Sequence, residues 1–380
     1  MENLQPKLRF PEFREEWIEK TIGKVIKFRN GKGHEKVIDS NGDFIVVNSK
    51  YISTDGFVSK YTNELISPLF KNDIVMVMSD LPNGKALAKC LLIEQDNLYT
   101  LNQRICALTP NPLQNNPFFL KHIISRNSYF LKLDDGVNQT NLKKNEVLNC
   151  PLTIPTLQEQ TKIADFLGAV DKQLDILNQK KEKLNLYKKG VMQQLFSQQI
   201  RFKDDNGNDF PDWQEKTLGE VLKYTQPNKF IVKSTDYNNL YNIPVLTAGK
   251  SFLLGYTNET DNIYKNIPCI IFDDFTTSSQ FVDFEFKIKS SAMKILNTIG
   301  NDNIKFLFEL INTIHFPTGD EHKRYWISEY SKLKLSIPTI EEQTKIANFL
   351  SAIDNQIEAV ENQITKTETY KKGLLQQMFV

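Results

Sequence analysis

Two separate parts of the sequence contain polar loops whose side chains could contact the bases of a nucleic acid. Reading a base edge requires Arg, Lys, Asn or Gln side chains, or small hydroxyls, with phosphate contacts around them. Each loop taken alone is also typical of a solvated turn, but their occurrence in two regions favours a reading surface. The candidate DNA-binding residues are Lys50, Tyr51, Asn83, Lys85, Gln139, Asn141, Lys143, Thr247, Lys250, Thr276, Thr277, Ser278, Gln280, Lys323, Arg324 and Tyr325.

The sequence contains no comparable pattern for catalysis. Its four histidines are dispersed, its paired aspartates lack companion acids, and it has no glycine-rich phosphate loop. The four cysteines form no CxxC pair and have no histidine at ligand spacing, so we expect reduced and mostly buried thiols. We therefore predict no catalytic residue and no metal ligand.

The charge of the chain limits how it could hold a nucleic acid. A formal net charge of +1 argues against binding by charge alone, because such domains are usually strongly basic. Residues 20–150 contain 17 Lys and Arg against 12 Asp and Glu, and residues 216–336 contain 14 against 13. Binding would thus depend on placed contacts and on a partner. The longest apolar run, Ile74–Met78, is far below the roughly 20 residues of a membrane span, so we expect a cytoplasmic protein.

The segments that must position these loops occur twice. Residues 154–196 align with residues 337–379 without a gap, and 22 of the 43 positions are identical. WIEKTIGKV at 17–25 likewise matches WQEKTLGEV at 213–221. The chain is predicted to be two tandem copies of one unit, in which a WxEKT segment and a long helix enclose a variable module. We call residues 20–150 the first module and residues 216–336 the second module.

Each long repeat predicts a coiled-coil helix. Thr156–Glu159 and Thr339–Glu342 have the form of a capping box, in which the Thr hydroxyl and the Glu carboxylate each accept from a backbone N–H. Apolar residues then recur in steps of four and three over more than four heptads, which predicts that the two helices pack together. The heptads leave open whether the helices, ~50 Å long at 1.5 Å per residue, run parallel or antiparallel. The predicted coiled-coil core is Ile163, Leu167, Val170, Leu174, Leu177, Ile346, Leu350, Ile353, Ile357 and Val360.

The two modules share almost no sequence beyond their flanks, although both are predicted to be α+β. Short β-rich runs at Phe44–Val47, Ile74–Met78 and Cys269–Phe272 are bounded by Gly, Asn, Asp and Pro. One helix is predicted near the end of each module, over Pro117–Leu131 and Asp302–Ile314. Identical segments around different inserts favour a scaffold that presents two different recognition surfaces.

These features resemble the specificity (S) subunit of type I restriction–modification systems. The family's P-x-x-E-Q-x-x-I-x-x-x-L signature appears twice at the right separation, and the resemblance covers the whole chain. The residues that carry it are PTLQEQTKIADFL at 155–167, YKKGVMQQLF at 187–196, their copies at 338–350 and 370–379, and the segment from Leu8-Arg9-Phe10 to Trp17.

The resemblance implies two globular α/β target recognition domains, separated by two long helices that form an antiparallel intramolecular coiled coil with pseudo-two-fold symmetry. Each domain would read one half of a split double-stranded DNA site, and the helices would set the spacer between the halves. The implied domains are 1–153, the first target recognition domain; 154–196, the first spacer helix; 197–336, a linker and the second target recognition domain; and 337–380, the second spacer helix.

The resemblance also implies partners that would supply the chemistry. Two methyltransferase (M) subunits would dock on the helices and methylate adenine with S-adenosylmethionine, and restriction (R) subunits would translocate and cleave DNA with ATP and Mg. This chain would hold no cofactor and would be non-catalytic.

Two other functions compete with this interpretation. A coiled-coil adaptor whose two modules bind proteins would give no specific footprint on DNA, even with the M partner present. A self-sufficient enzyme would transfer methyl groups as the purified chain alone.

Overall fold

The protein folds into two compact units. The computed structural model describes residues 5–82, 84–247, 252–273, 276–314, 316, 326 and 329–379. Unit 1 consists of Met1–Leu177 with Gln363–Val380, and unit 2 consists of Asn178–Asn362. Each unit therefore combines one module with part of each long helix.

Unit 1 is a mixed α/β structure. Its strands are β1 (Ile18–Thr21), β2 (Ile26–Asn30), β3 (Phe44–Val47), β4 (Tyr61–Thr62), β5 (Ile74–Val77), β6 (Ser79–Asp80), β7 (Cys90–Leu92), β8 (Tyr99–Leu101), β9 (Ile105–Pro110), β10 (Thr140–Asn141) and β11 (Pro151–Ile154). Its helices are α1 (Ile22–Val25), α2 (Ser49–Ser53), α3 (Pro117–Ile124), α4 (Ser128–Leu131), α5 (Lys144–Asn149) and the first part of α6 (Leu157–Phe196).

Unit 2 is likewise a mixed structure of helices and strands. Its strands are β12 (Gln214–Thr217), β13 (Leu222–Thr225), β14 (Ile243–Leu246), β15 (Leu253–Thr257), β16 (Cys269–Asp273), β17 (Ser279–Val282), β18 (Lys287–Ile288), β19 (Met293–Thr298) and β20 (Lys334–Ile337). Its helices are α7 (Leu218–Val221), α8 (Ile304–Ile311) and the first part of α9 (Ile340–Met378), with 3₁₀ turns at Pro227–Phe230 and Tyr330–Lys332.

The two modules have the same sheet topology although their sequences differ. Among the described residues, the first module has a four-stranded sheet of order β2-β9-β5-β7, and the second has β13-β19-β16-β17. A smaller sheet of order β4-β3-β8 corresponds to β15-β14-β18, with one antiparallel and one parallel pair in each. The flanking pairs β1-β11 and β12-β20 also correspond. Each module is therefore one version of a common α+β fold.

The central strand of each module is buried on both faces, which explains its continuous apolar sequence. In β5, Ile74 and Met76 point into the core that contains α3 and the long helices, while Val75 and Val77 point into a second core beside the small sheet. Alternate residues of β16 divide in the same way between two cores. The strands predicted around positions 44, 74 and 269 are all present.

One predicted helix is wrong in extent. The segment Pro117–Leu131 is broken into α3 and α4 instead of forming one helix. Arg126 lies between them in the left-handed region, with φ of +52°, a conformation that no residue within a helix adopts. Asn127 then begins α4 by accepting a hydrogen bond from the Tyr129 N–H at 2.9 Å. In the second module α8 is shorter than the predicted Asp302–Ile314 by two or three residues at each end.

The long helices run antiparallel within each unit. In unit 2, Lys181 pairs with Glu361 at 2.8 Å and Lys188 pairs with Asp354 at 2.6 Å, so the numbers rise along one helix and fall along the other. In unit 1, the first part of α6 shares a core with the end of α9. Lys371 there pairs with Asp171, which repeats the Lys188–Asp354 pair 183 positions away. The same ion pair thus occurs once in each unit, between equivalent positions of the two repeats.

The predicted coiled-coil positions are mostly buried. Ile163, Leu167 and Val170 belong to the core of unit 1, and Ile346, Leu350 and Ile353 belong to the core of unit 2. Leu177 and Val360 are also buried, whereas Leu174 and Ile357 are half-buried.

Candidate functional site

A buried glutamate at the start of each long helix binds the WxEKT segment and the chain that precedes it. Glu159 is 1% exposed. Its carboxylate accepts hydrogen bonds from Arg9 Nε at 2.6 Å and from Trp17 Nε1 at 3.2 Å. These bonds attach helix α6 to segments about 140 to 150 positions earlier in the chain.

Unit 2 repeats this arrangement with the second copy of each residue. The Glu342 carboxylate accepts from Arg201 Nη2 at 2.7 Å and from Trp213 Nε1 at 3.1 Å. Hydrogen bonding to the buried carboxylate raises the pKa of Arg201, as Glu159 raises the pKa of Arg9. The repeated glutamates therefore have the same structural role.

The predicted capping boxes are wrong for both carboxylates, and at Thr339 also for the hydroxyl, whose buried Oγ1 has no hydrogen-bond partner among the described residues. The Thr156 hydroxyl accepts from the Glu159 N–H, although at a long 3.5 Å. The Glu159 side chain does not return to the start of its own helix, because Arg9 and Trp17 occupy it. Glu159 therefore matches a local capping motif in the sequence but makes long-range hydrogen bonds to Arg9 and Trp17 in the structure.

The glutamine that follows each glutamate connects the helix to its module. Gln160 Oε1 accepts from the Asn116 N–H at 2.9 Å, and Gln160 Nε2 donates to the Pro155 carbonyl at 3.0 Å. Gln343 makes the same pair of bonds, to the Asn303 N–H at 2.8 Å and to a proline carbonyl at 3.0 Å. Asn116 and Asn303 are the N-caps of α3 and α8. We call each Glu-Gln pair with these partners a joint.

The surroundings of the unit 2 joint are charged. Glu309 on α8 is 1% exposed and pairs with Lys188 at 3.0 Å and with Lys305 at 3.1 Å. Asp354 accepts from the same two ammonium groups, at 2.6 Å and 3.1 Å. Burial opposes ionisation of Asp354, but Lys188 and then Lys305 hold its pKa below the ordinary value. Four alternating charges thus connect the module to both long helices.

The surroundings of the unit 1 joint are aromatic. His122 stands six residues after the N-cap of α3, as Glu309 stands six residues after the N-cap of α8. Its ring lies 4.7 Å from the Phe118 ring and 6.3 Å from that of Phe379. Burial, followed by the charges of Lys121 and Lys371, lowers the pKa of His122 to about 2. No motif in the sequence marks His122, which lies far along the chain from the other three histidines.

The candidate DNA-contacting loops lie at equivalent places in the two modules. Lys50 and Thr247 follow the corresponding strands β3 and β14. Lys85 lies between β5 and β7, and Thr276 to Gln280 lie between or at the corresponding strands β16 and β17. The third candidate loop of the first module follows α4, and the corresponding candidates of the second module, Lys323, Arg324 and Tyr325, lie outside the described residues. The shared topology thus gives the two modules matching sets of loops with different sequences.

The first module brings two of these loops together. Strand β10 pairs with β6, and Gln139 Nε2 donates to Ser79 Oγ at 2.6 Å. Lys85, Gln139, Asn141 and Lys143 are all exposed. Lys50 is also exposed but lies on another element, α2.

Two residues that sequence reasoning missed hold the β5–β7 loop. The Asp80 carboxylate accepts from the backbone N–H groups of Leu81, Ala86 and Leu87 at 2.7 to 3.0 Å. Arg126 Nη1 donates to the Lys85 carbonyl at 2.6 Å. Side chains thus bind both N–H and carbonyl groups of a loop that carries an exposed lysine. No motif marks Arg126, since its role depends on the left-handed corner between α3 and α4.

Tyr51 is a core residue, contrary to its assignment as a DNA contact. It is 7% exposed and packs near Tyr99, with ring centroids 6.2 Å apart. Burial raises its pKa. The alternation of exposed and buried positions in α2 directs Lys50 outwards and Tyr51 inwards.

In the second module Thr276, Thr277 and Ser278 form one tight turn before β17, whereas Thr247 follows β14. Thr276 Oγ1 donates to Asp273 Oδ2 at 2.8 Å, and Thr277 has a φ of +58°. Thr276, Ser278 and Gln280 are exposed, whereas Thr277 and Thr247 are half-buried. The candidates Asn83, Lys250, Lys323, Arg324 and Tyr325 lie outside the described residues.

The described residues were compared with the requirements of a metal site, a membrane-spanning helix and a disulfide. No group of three or more His, Cys, Asp or Glu among them is placed to hold a metal ion. Within the same part of the chain, no helix has the length and apolar character needed to cross a membrane. The four cysteines are free and buried.

Comparison with known protein sequences gives consistent matches. The family model of the type I restriction modification DNA specificity domain matches residues 14–186 and 211–368. The chain is 54% identical over 127 residues to the specificity subunit of the type I restriction enzyme EcoR124I/EcoR124II of Escherichia coli, a match that spans 32% of this chain and 31% of that protein. It is 25% identical over 414 residues to a putative type I restriction enzyme MjaX specificity subunit of Methanocaldococcus jannaschii, spanning 97% of this chain and 94% of that protein.

Solved structures share the fold. The S subunit of a type I restriction–modification system from M. genitalium has a TM-score of 0.67 at 17% identity and covers 99% of both chains. A chain from a structural study of complex assembly and conformational transition of the type I R-M system has a TM-score of 0.52 at 16% identity and covers 97% of both. At these identities the likeness concerns the fold alone.

Proposed function

This chain belongs to the type I restriction–modification DNA specificity family, and we propose that each of its two modules reads one half of a split double-stranded DNA target. The observation that carries the proposal is the combination of one fold with two sets of loops. The modules share strand order and joints, yet they differ in the residues of every equivalent loop. A protein that read the same sequence twice would have no need for different loops.

The exposed polar residues of these loops are the proposed DNA contacts. In the first module they are Lys50, Lys85, Gln139, Asn141 and Lys143, whose amide and ammonium groups suit base edges and phosphates. The proposed contacts of the second module are Thr247, Thr276, Thr277, Ser278 and Gln280, together with the sequence candidates Lys250, Lys323, Arg324 and Tyr325.

The paired helices are the proposed spacer and the proposed docking surface for M subunits. Because the helix and its WxEKT segment occur twice in the chain, they offer two equivalent faces, which supports two M subunits for each chain. In this proposal the M subunits hold S-adenosylmethionine and methylate adenine, and R subunits use ATP and Mg to cleave. This chain contributes recognition without chemistry, in the cytoplasm where the host DNA lies.

A footprint on DNA separates this proposal from the competing functions. The chain is co-expressed with the M subunit of its host, and the complex is used to select from random duplexes before footprinting. We expect two short protected segments of defined sequence, separated by a fixed gap. A complex that forms but protects no defined sequence would favour the adaptor, and methyl transfer by the purified chain alone would favour a self-sufficient enzyme.

Salt dependence provides a second check of the proposed contacts. Each lysine that neutralises a phosphate contributes to the fall of affinity with salt, so Lys143→Ala should reduce the slope of log K against log salt by about 1. Lys71→Ala, which removes an exposed lysine outside the candidate loops and the long helices, is the matched control and should leave the slope unchanged.

A further inference from the structure

We infer that Gln160 and Gln343 set how strictly the complex selects the spacer length, because they fix the angle between each module and its long helix. The inference rests on the proposed function, since a spacer exists only for a split DNA target. It assigns a specificity-determining role to two buried positioning residues, neither of which reaches a DNA-contacting loop.

The geometry places each amide between two structural elements. The acceptor end of Gln160 binds the N-cap of α3, which belongs to the module, and its donor end binds the carbonyl of Pro155 at the strand–helix corner. Gln343 joins the N-cap of α8 to Pro338 in the same way. Gln343 Nε2 also donates to Asp302 Oδ1 at 2.7 Å. Both glutamines are 1% exposed, so water does not replace these bonds.

The site needs a side chain that both donates and accepts, because one partner is a donor and the other is an acceptor. The glutamine amide supplies an acceptor oxygen and a donor NH₂ on one uncharged planar group. A glutamate would face the proline carbonyl with a second acceptor. An apolar residue of similar length would leave a buried N–H and a buried carbonyl without their hydrogen bonds, which destabilises this geometry.

A small tilt at this position is enough to change the spacer. A domain of this size places its outer loops roughly 20 Å from the joint. At that distance a tilt of about 10° moves a loop by ~3.4 Å, the rise of one base pair. The glutamine hydrogen bonds restrain the angle between module and helix. A small change in that angle is therefore enough to favour a spacer one base pair longer or shorter.

The test compares DNA duplexes that differ only in spacer. Complexes of the chain with its M subunit carry Gln160→Met or Gln343→Met, and affinity is measured on the selected half-sites at the preferred spacer and at one and two base pairs more or fewer. We expect the preference for the best spacer over its neighbours to fall about five- to tenfold, as a loss of 1–1.4 kcal/mol of restraint would give. Discrimination against a changed base within either half-site should stay as in the wild type.

Gln95→Met is the matched control, since Gln95 is exposed between β7 and β8 and belongs to neither a joint, a long helix nor a candidate loop. It should keep the wild-type spacer preference. If a methionine variant fails to assemble, Gln160→Asn replaces it, because the shorter side chain keeps the amide but cannot span both partners. That variant is expected to relax spacer preference as well.

Several results would overturn the inference. Unchanged spacer preference in assembled Gln160→Met and Gln343→Met complexes would do so, and so would loss of base discrimination with the spacer preference intact. A wild-type complex without any preferred spacer would instead contradict the proposed function, so the two failures can be told apart.

Discussion

The joints of the two units have the same bonds but different surroundings. In each, a buried glutamate binds an arginine and a tryptophan, and a buried glutamine binds the N-cap of the module's helix. Around this common core, unit 2 has the Glu309 ion cluster, whereas unit 1 has the stacked His122. The residues repeated in the sequence are those that every module needs for attachment. The others depend on the module that is attached.

The first test of this comparison is a substitution in the helix core, which both units share. Leu167 and Leu350 are equivalent core residues, and neither is exposed to solvent. Changing either one to Ala should destabilise its own unit by roughly 2–5 kcal/mol, through lost burial and a residual cavity. Hydrogen exchange in urea, measured separately for each unit, should show two costs within about 1 kcal/mol of each other. A cost confined to one variant would contradict the equivalence of the two helix cores.

The second test addresses the part that differs. Glu309→Ala removes a buried charge and leaves Lys188 and Lys305 to share Asp354. Because both lysines are partly exposed, we expect a cost at or just below the range of about 3–5 kcal/mol for broken buried pairs, about 2–3 kcal/mol. His122→Ala should cost less in unit 1, since no ion pair is broken. The comparison fails if the two variants destabilise their units equally under the same exchange measurement.

The pH dependence of the stability of unit 1 tests the surroundings of its joint. The lowered pKa of His122 means that the unfolded chain binds its proton below about pH 6.5, while the folded chain does not. Stability from this group is therefore complete above that pH and declines as pH falls, by up to about 2 kcal/mol at pH 5. His122→Phe keeps an aromatic ring and should flatten the dependence of unit 1 between pH 7 and 5. An identical pH profile in the variant would mean that His122 protonates freely in the folded protein.

The smallest expected effect concerns one loop of one module. Arg126→Ala removes the donor that binds the Lys85 carbonyl, and the loop becomes less ordered without losing its outward side chains. We expect base discrimination to weaken by about 1 kcal/mol, or roughly fivefold, in one half-site only. Selection with the variant complex should return the other half-site unchanged. Equal weakening of both halves would show a general defect in assembly.

The paired changes Lys323→Ala and Arg324→Ala form the counterpart in the second module. If these side chains read bases, each lost contact should cost about 1–3 kcal/mol and degrade only the half-site that Arg126→Ala leaves intact. Affinity measurements on duplexes with changes in one half at a time provide the readout. An effect on the same half-site as Arg126→Ala would refute the assignment of one module to each half.

Inserting one heptad in both helices tests the spacer role. Seven residues add ~10 Å, or about 3 bp at 3.4 Å per pair, to the preferred spacer when the insertions lie between Leu177 and Leu184 and at the matching positions of α9. A spacer of unchanged length would contradict the role of the helices as a ruler.

Sequence reasoning worked best where a pattern depends on periodicity. The heptads and the apolar runs at Ile74–Met78 and Cys269–Phe272 indicate helices and buried strands, because burial on defined faces leaves a direct trace in the sequence. The same reasoning failed for Glu159, since a local capping motif and a bond to Arg9, 150 positions away, use the same carboxylate.

Some residues of the candidate loops can be predicted from residue type, and others cannot. Residue type identified Lys85 and Gln139, which the structure places on neighbouring exposed loops. Residue type could not tell that Tyr51 is buried or that Arg126 supports a loop 41 positions earlier. Both facts depend on how α2 and the α3–α4 corner pack against the sheet, for which the sequence has no periodic signal.

The central claim is that two different modules on one repeated frame read two halves of a DNA target. It is tested most directly by expressing the chain with its host's M subunit and mapping methylated adenines across genomic DNA by single-molecule sequencing. We expect one split motif, with two short defined halves of different sequence and a gap of fixed length. A complex that assembles but leaves the DNA unmethylated, or that methylates a single uninterrupted motif, would contradict the account.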